Sequence, residues 1–225
     1  MLKAYPTVPK RVCRVFRPEP DEISNSITHA LGFVLSLVAA LVLAVCVISK
    51  GEVWRIAACG IYGVALVAVF GCSTLSHSVS SPHWKRRFRI LDQAFIYLLI
   101  VGTYTPFGVA YLANSGWWYF SLLLWAIALI GFFSKLMFAH RIDGVAIWIY
   151  ILLGWLNVAA AFPLSSLVPS VALWWMLYGG ICYTIGTVFL VIDHKAAHFH
   201  AIWHLLVIAG SAWHFFAILL YVAQA

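Results

Sequence analysis

The sequence predicts an all-α integral membrane protein built as a seven-transmembrane helix bundle, and three observations lead to that fold class. Of its 225 residues, 64% are hydrophobic and only 9% are charged, whereas a soluble domain carries roughly 25% charged residues. Apolar runs of about 20 residues, the length that crosses a bilayer as helix, recur along the whole chain. None of these runs shows the alternation of a membrane barrel, and lipid excludes unpaired backbone, so helices are the remaining choice.

The apolar runs define the elements in order. Residues 1–21 form a basic, proline-rich tail without the apolar core of a signal peptide, and residues 22–225 form the transmembrane domain. The predicted spans cover about 25–48, 53–77, 92–112, 117–138, 145–163, 172–192 and 199–222. Pro106 lies inside the third span, where we expect it to kink the helix.

The basic residues predict the orientation of the bundle. Of the 14 lysines and arginines, twelve fall in the tail or in loops on one side of a seven-span arrangement, and only Lys50 and Arg55 fall on the other. Cytoplasmic loops carry the excess of positive charge, so we expect the N-terminus inside and the C-terminus outside. The net charge of +7 is therefore a topology signal and does not indicate a nucleic-acid partner, because no basic face exists apart from these short segments.

Ionisable side chains collect at one membrane depth. His200 and His204 are four residues apart, so on a helix they share a face and can both bind one metal ion. The predicted topology brings His77, at the end of the second span, and Asp92, at the start of the third, to the same cytoplasmic edge. An ionisable group within a membrane span has a high free-energy cost, so each such group suggests a function.

Three neutral imidazoles with an open fourth position are the ligand set of a catalytic zinc ion. We therefore predict Zn²⁺ held by His77, His200 and His204. For Asp92 we favour a general base over a residue that orients a ligand imidazole, and Ser73, one turn before His77, could hydrogen-bond a bound carbonyl.

Structural explanations remain open for the same residues. His77 could simply occupy a helix end, Asp92 could be an N-cap or first-turn acid of the third span, and Ser73 could bond to its own helix. His29 shares a helical stripe with Glu22 and Asn25, which we interpret as a packing and hydrogen-bonding feature that could line the same inner cavity. His214 is expected to be a satisfied bundle histidine and not a second metal site.

The ordered set of motifs resembles the haemolysin III-related membrane proteins, bacterial members of the progestin and adipoQ receptor superfamily. The motifs are Glu22-x-x-Asn25-x-x-x-His29, Ser73-x-x-x-His77, Leu91-Asp92, Gly102-Thr103-Tyr104-Thr105-Pro106, His198-x-His200-x-x-x-His204 and His214-Phe215. The resemblance implies seven spans with the N-terminus inside, zinc ligands at His77, His200 and His204, and a water-holding acid at Asp92. It also implies a multi-pass protein of the bacterial cell membrane.

Three functions follow from these expectations. The first is a zinc-dependent hydrolase of a lipid amide or ester, since adiponectin receptors of the superfamily are linked to ceramidase-type hydrolysis. The second is a non-enzymatic regulator or sensor with structural zinc. The third is a haemolysin-like pore. The spans argue against a pore, because they lack a polar stripe that crosses the membrane. Membrane lipids are the expected partners, and the sequence leaves the oligomeric state open.

Overall fold

The computed structural model describes residues 20–116, 118–138, 147–161, 166–196 and 198–224. These residues are helical throughout their regular structure, and they include no strand. The helices are α1 Pro20–Lys50, α2 Val53–Ser78, α3 Pro82–Phe107, α4 Trp118–Phe138, α5 Ile147–Ala161, α6 Ser170–Val191 and α7 Phe199–Ile218. Of the predicted tail, residues 1–21, only residues 20 and 21 belong to the described part of the chain, as the first two positions of α1. The side chain of Glu22 also lies outside this description.

Six of these helices are long and apolar enough to cross a membrane: α1, α2, α3, α4, α6 and α7. In the fifth predicted span, 145–163, the helix α5 has 15 residues and so rises about 22 Å, less than the roughly 30 Å of a hydrocarbon core. Residues on both sides of α5 lie outside the described part of the chain. The seventh crossing and the orientation of the bundle therefore stay predictions.

The third span differs most from its prediction. It was expected to begin near Asp92, but α3 begins ten residues earlier at Pro82. Proline suits the first helical turn because its fixed φ matches the helix and its missing N–H is not needed there. Asp92 thus lies in the third turn of α3, and its interpretation as an N-cap or first-turn acid is wrong. Pro106 lies inside α3, and a π-helical turn, Gly108–Leu112, follows directly.

The centre of the bundle is α2, whose side chains Tyr62, Leu66 and Phe70 are buried against α1 and α3. Glycine permits the closest helix contacts, as is common in lipid. A Cβ atom at Gly210 on α7 would lie 3.0 Å from the carbonyl oxygen of Gly179 on α6. This close packing of α6 on α7 fixes the position of the histidine-bearing helix.

The outer face of α4 is apolar and uncovered. Leu122, Ile130 and Met137 are each more than half exposed. Such a surface would promote aggregation of a soluble monomer but is the ordinary contact with lipid tails. The expected all-helical membrane class is therefore confirmed, with six candidate spans among the described residues.

Candidate metal centre

Four histidines from three helices converge at one end of the bundle. His29 comes from α1, His77 from the last turn of α2, and His200 and His204 from the first turns of α7. Among the described residues, the group that could hold a metal ion is His29, His77 and His204, whose nearest ligand atoms all lie within 4.8 Å of one another. Two predicted ligands, His77 and His204, belong to this group, and His29 was not predicted as a ligand.

The spacing of the imidazole rings favours His200 as a ligand of the same ion. Two imidazoles on one tetrahedral zinc ion, each with a Zn–N bond of about 2.0–2.1 Å, have ring centroids about 5 Å apart. The centroid of His77 lies 5.5 Å from that of His200 and 5.4 Å from that of His204, and the His200–His204 separation is 4.5 Å. The His29 and His204 centroids are only 3.5 Å apart, which is too close for two ligands of one ion.

The nitrogen distances and the ring spacings thus select different third ligands. Ring spacing is the stricter criterion, because a ring can rotate in place to turn a nitrogen toward an ion, whereas a centroid moves only with its side chain. His77 and His204 belong to both sets. The assignment of His200 as the third ligand stays a prediction.

The tautomer of His204 follows from its hydrogen bond to Thr28. The Nδ1 atom of His204 lies 3.0 Å from the Thr28 hydroxyl oxygen. That hydroxyl uses its hydrogen on the backbone carbonyl of Ser24 or Asn25, at 2.9 and 3.0 Å, so it accepts from the histidine. His204 therefore carries its proton on Nδ1 and keeps an Nε2 lone pair for a metal ion.

His200 reaches the same state through a carboxylate. Its Nδ1 atom lies 3.0 Å from Oδ2 of Asp193, and an ionised carboxylate can only accept. The proton of His200 is thus on Nδ1, and its Nε2 lone pair is available. A carboxylate behind a histidine is the usual means of orienting a metal ligand. Sequence reasoning missed Asp193, although an acid seven residues before His200 was a visible signal.

Ser73 lies between His29 and the predicted acid. The Ser73 hydroxyl oxygen lies 3.0 Å from Nε2 of His29, and the Ser73 side chain is also within interaction range of the Asp92 carboxyl group. The expected alternative for Ser73, a bond to its own helix, gives way to these contacts across helices. If Asp92 is ionised, Ser73 donates to it and accepts from His29. The buried Nδ1 of His29, which has no hydrogen-bond partner, then carries a lone pair.

The four histidines and Asp92 line one end of a cavity of about 410 Å³ between α1, α2, α3, α5, α6 and α7. Its walls are mostly apolar, with Val69, Ile96, Leu99 and Val207 among them. This volume lies in the range of sites for small molecules. His214 borders the same cavity, ten residues after His204 and hence about 15 Å along α7. Its Nε2 donates to the Met176 carbonyl oxygen at 3.0 Å, whereas its buried Nδ1 has no hydrogen-bond partner. The expectation of a histidine satisfied within the bundle therefore holds for one of the two ring nitrogens.

Fold and site together define a class: a multi-pass helical membrane protein with a buried histidine cluster at one end of an apolar cavity. The family model for haemolysin-III-related proteins matches residues 19–215. Hemolysin-3 of Bacillus cereus is 36% identical over 213 residues, which cover 95% of this chain and 97% of that protein. The Hemolysin-3 homolog of Bacillus subtilis (strain 168) is 35% identical over 201 residues, 89% of this chain and 94% of that protein.

A human protein is also similar along most of the chain. The monocyte to macrophage differentiation factor of Homo sapiens is 28% identical over 217 residues, 91% of this chain and 86% of that protein. The chain therefore belongs to the haemolysin-III-related family, which confirms the resemblance inferred from its motifs. Members of this family are multi-pass membrane proteins, in bacteria at the cell membrane, in contact with membrane lipids.

Proposed function

We propose that this protein is a zinc-dependent hydrolase that cleaves a lipid amide or ester, as ceramidases do. The observation that carries the proposal is the meeting of a histidine cluster, Ser73 and Asp92 at one end of a 410 Å³ apolar cavity. In this proposal the bundle has seven spans with its N-terminus in the cytoplasm, and the cluster lies near the cytoplasmic face. A lipid acyl chain fits the apolar walls, and its carbonyl group reaches the polar end.

The donor set suits zinc. Imidazole nitrogens are preferred zinc ligands, and the hydrogen bonds to Thr28 and Asp193 leave Nε2 of His204 and His200 free to bind. His77, His200 and His204 would hold the ion, while His29 stays bonded to Ser73. When bound, zinc supplies a Lewis acid that polarises a carbonyl group and eases the deprotonation of water.

The remaining steps belong to the protein's own side chains. Asp92 takes a proton from the attacking water molecule as the water oxygen bonds to the carbonyl carbon. Asp92 later donates a proton to the leaving amine or alcohol. The Ser73 hydroxyl, which lines the same cavity as Asp92, donates to the carbonyl oxygen as negative charge develops there. The apolar walls bind the acyl chain and exclude bulk water.

The test is lipid hydrolysis by purified, zinc-loaded protein in liposomes that contain ceramide or an ester lipid, with released fatty acid measured by mass spectrometry. We expect Asp92→Asn to lower the rate by about 100-fold or more, the usual contribution of a general base, and His204→Ala to abolish activity. His83→Ala is the matched control, since His83 is exposed at the start of α3 and lines neither the cavity nor the cluster. Equal release by wild type and His204→Ala would overturn the proposal.

A second candidate is a regulator with structural zinc, and the origin of the proposed ligands favours it: His77 comes from α2, and His200 and His204 come from α7, so one ion would connect two helices that are far apart in the sequence. In that case chelation lowers the apparent melting temperature, whereas Asp92→Asn leaves the biological function intact. A third candidate rests only on the relatives named hemolysin. Dye leakage from sealed liposomes at low protein density separates a pore from both.

A further inference from the structure

A second cavity, of about 320 Å³, opens to the protein surface beside the histidine cluster. We call it the vestibule. Its polar lining residues are Asn25, His77, Asp193, His194, His198 and His200. Neither the histidine cluster nor the proposed hydrolysis uses His194 or His198, so the two imidazoles need another explanation.

The vestibule and the large cavity share part of their lining. His77, Asp193 and His200 border both spaces, whereas His29 and His204 border only the large cavity. An ion that comes from the surface through the vestibule therefore meets His200 and His77 before it reaches His204. The shared residues form the boundary between the surface and the buried cluster.

The imidazoles also follow a gradient of burial. His194 and His198 are exposed, the His200 side chain is 29% exposed, and His204 is 1% exposed. A cation that moves along this series can exchange water for imidazole nitrogen in single steps. No step then requires a bare ion in an apolar space, which would be very costly.

Asn25 provides an independent indication that a ligand visits the vestibule. This residue is only 6% exposed, it lines the vestibule, and its side-chain oxygen has no hydrogen-bond partner. A buried acceptor without a partner is unfavourable, and a cation or one of its bound waters would satisfy it. Nitrogen ligands with one carboxylate and one amide oxygen suit a divalent ion such as zinc or cobalt.

The backbone of His198 has a conformation that is unfavourable for a residue with a Cβ atom. His198 has φ 65°, in the left-handed region, and among the described residues it is the one non-glycine residue with positive φ. Glycine adopts this conformation readily, whereas a residue with a Cβ atom does so less favourably. Strain of this kind is characteristic of functional positions.

We propose that the vestibule is the access port through which a divalent cation reaches the buried histidine cluster, with His198 and His194 as transient ligands. The inference rests on the proposed zinc site but not on hydrolysis. A residue on the path changes the rates of loading and release by the same factor and leaves the equilibrium affinity unchanged, whereas a ligand of the final site changes the affinity itself.

The experiment measures exchange of isotopically labelled zinc on the full-length protein in nanodiscs. Loading is followed after addition of Zn²⁺, release is followed after an excess of unlabelled Zn²⁺, and affinity is determined by competition with a chelator. The variants are His198→Gly, which suits the left-handed backbone and so removes the imidazole without strain, His194→Ala, and the pair together. His83→Ala is the control, because it removes an exposed imidazole outside the vestibule.

We expect the double variant His198→Gly/His194→Ala to slow the loading and the release of zinc by the same factor. That factor is on the order of tenfold, which is the lower end of the rate gain from local concentration in a cleft. The affinity should match wild type. Unchanged rates with normal zinc content would overturn the access port and leave the zinc site standing. Faster release with weaker affinity would make these residues ligands of the final site, and would also overturn it. Wild type that binds no zinc would remove the proposed zinc site together with this inference.

Discussion

Helix α7 carries a buried histidine at each end of the same cavity, and the surroundings of the two differ. His204 is 1% exposed and His214 is 3% exposed. Three further imidazoles surround His204, with ring centroids at 3.5 to 5.4 Å. The rings nearest His214 include Tyr183 and Tyr104, at 5.3 and 6.4 Å.

The hydrogen bonds differ as well. The outer nitrogen of His204 bonds a threonine hydroxyl, which fixes the tautomer and keeps the other nitrogen for a ligand. His214 instead donates to a backbone carbonyl of α6 and packs directly against Gly179, where a Cβ atom would lie 2.3 Å from Nε2. Burial alone therefore does not make a histidine a metal ligand. His214 also keeps one ring nitrogen without a partner, so what distinguishes the His204 end is the convergence of imidazoles from several helices.

Removal of one imidazole from each end of the cavity tests this difference between His204 and His214 most directly. We expect His204→Ala to weaken zinc binding by more than about 100-fold, beyond the range for residues that act through a ligand, while His214→Ala binds zinc as wild type does. Metal content after purification and chelator competition measure both. Thermal unfolding of each variant shows that the protein is folded. Equal zinc affinities for the two variants would contradict the assignment of the site to the His204 end.

The carboxylate behind His200 gives the next largest effect. Asp193→Ala removes the acceptor that holds the His200 proton on Nδ1, so we expect zinc affinity to fall by about tenfold. Asp193→Asn keeps an acceptor oxygen and should lie between wild type and the alanine variant. The same competition assay measures all three proteins. Wild-type affinity in Asp193→Ala would contradict the role of Asp193 in orienting His200 as a ligand.

A smaller effect is expected at Thr28, which orients His204. Thr28→Val keeps the shape of the side chain but leaves the Nδ1–H of His204 without its acceptor, at a cost of about 1 kcal/mol, or about fivefold in affinity. Thr28→Ser retains the hydroxyl and is the matched control. Chelator competition at a fixed pH resolves the difference. If valine and serine bind zinc equally well, the Thr28 contact plays no part in setting the tautomer.

The sequence was sufficient for the class of fold and for part of the site. Long apolar runs are a local property of the sequence, so they predict the membrane helices directly. The pattern of basic residues predicts a topology that places His77 and Asp92 at the same membrane depth. Helix periodicity placed His200 and His204 on one face. These features need only spacing and topology, and no side-chain geometry.

The remaining features depend on contacts between helices. His29 was identified only as part of a polar stripe, because nothing in the sequence shows that α1 packs its ring 3.5 Å from that of His204. The partner of His200, Asp193, sits in a short 3₁₀ turn, whose fold the apolar pattern does not specify. The start of α3 was misplaced because its first two turns are basic, and charge was interpreted as loop.

The structural end of the cavity supplies the smallest expected effect on zinc. Gly179→Ala places a Cβ atom 2.3 Å from Nε2 and 2.4 Å from Cδ2 of His214, so the ring must move and lose its bond to Met176. We expect a loss of about 1–3 kcal/mol of stability from overpacking, observed as a lower apparent melting temperature in detergent. Zinc affinity should not change, because the sites are about 15 Å apart.

Gly180→Ala is the matched control for this prediction. It is the next residue of the same helix, and its Cβ atom would meet nothing within 4 Å, so alanine there should be neutral or slightly stabilising. In Gly179→Ala/His214→Ala the smaller side chain at 214 makes room for the new methyl group. The double variant should therefore lose less stability than the sum of the two single variants. Additive losses would show that the Gly179 methyl group does not act through His214, and the contrast between the two ends of α7 would rest on His204 alone.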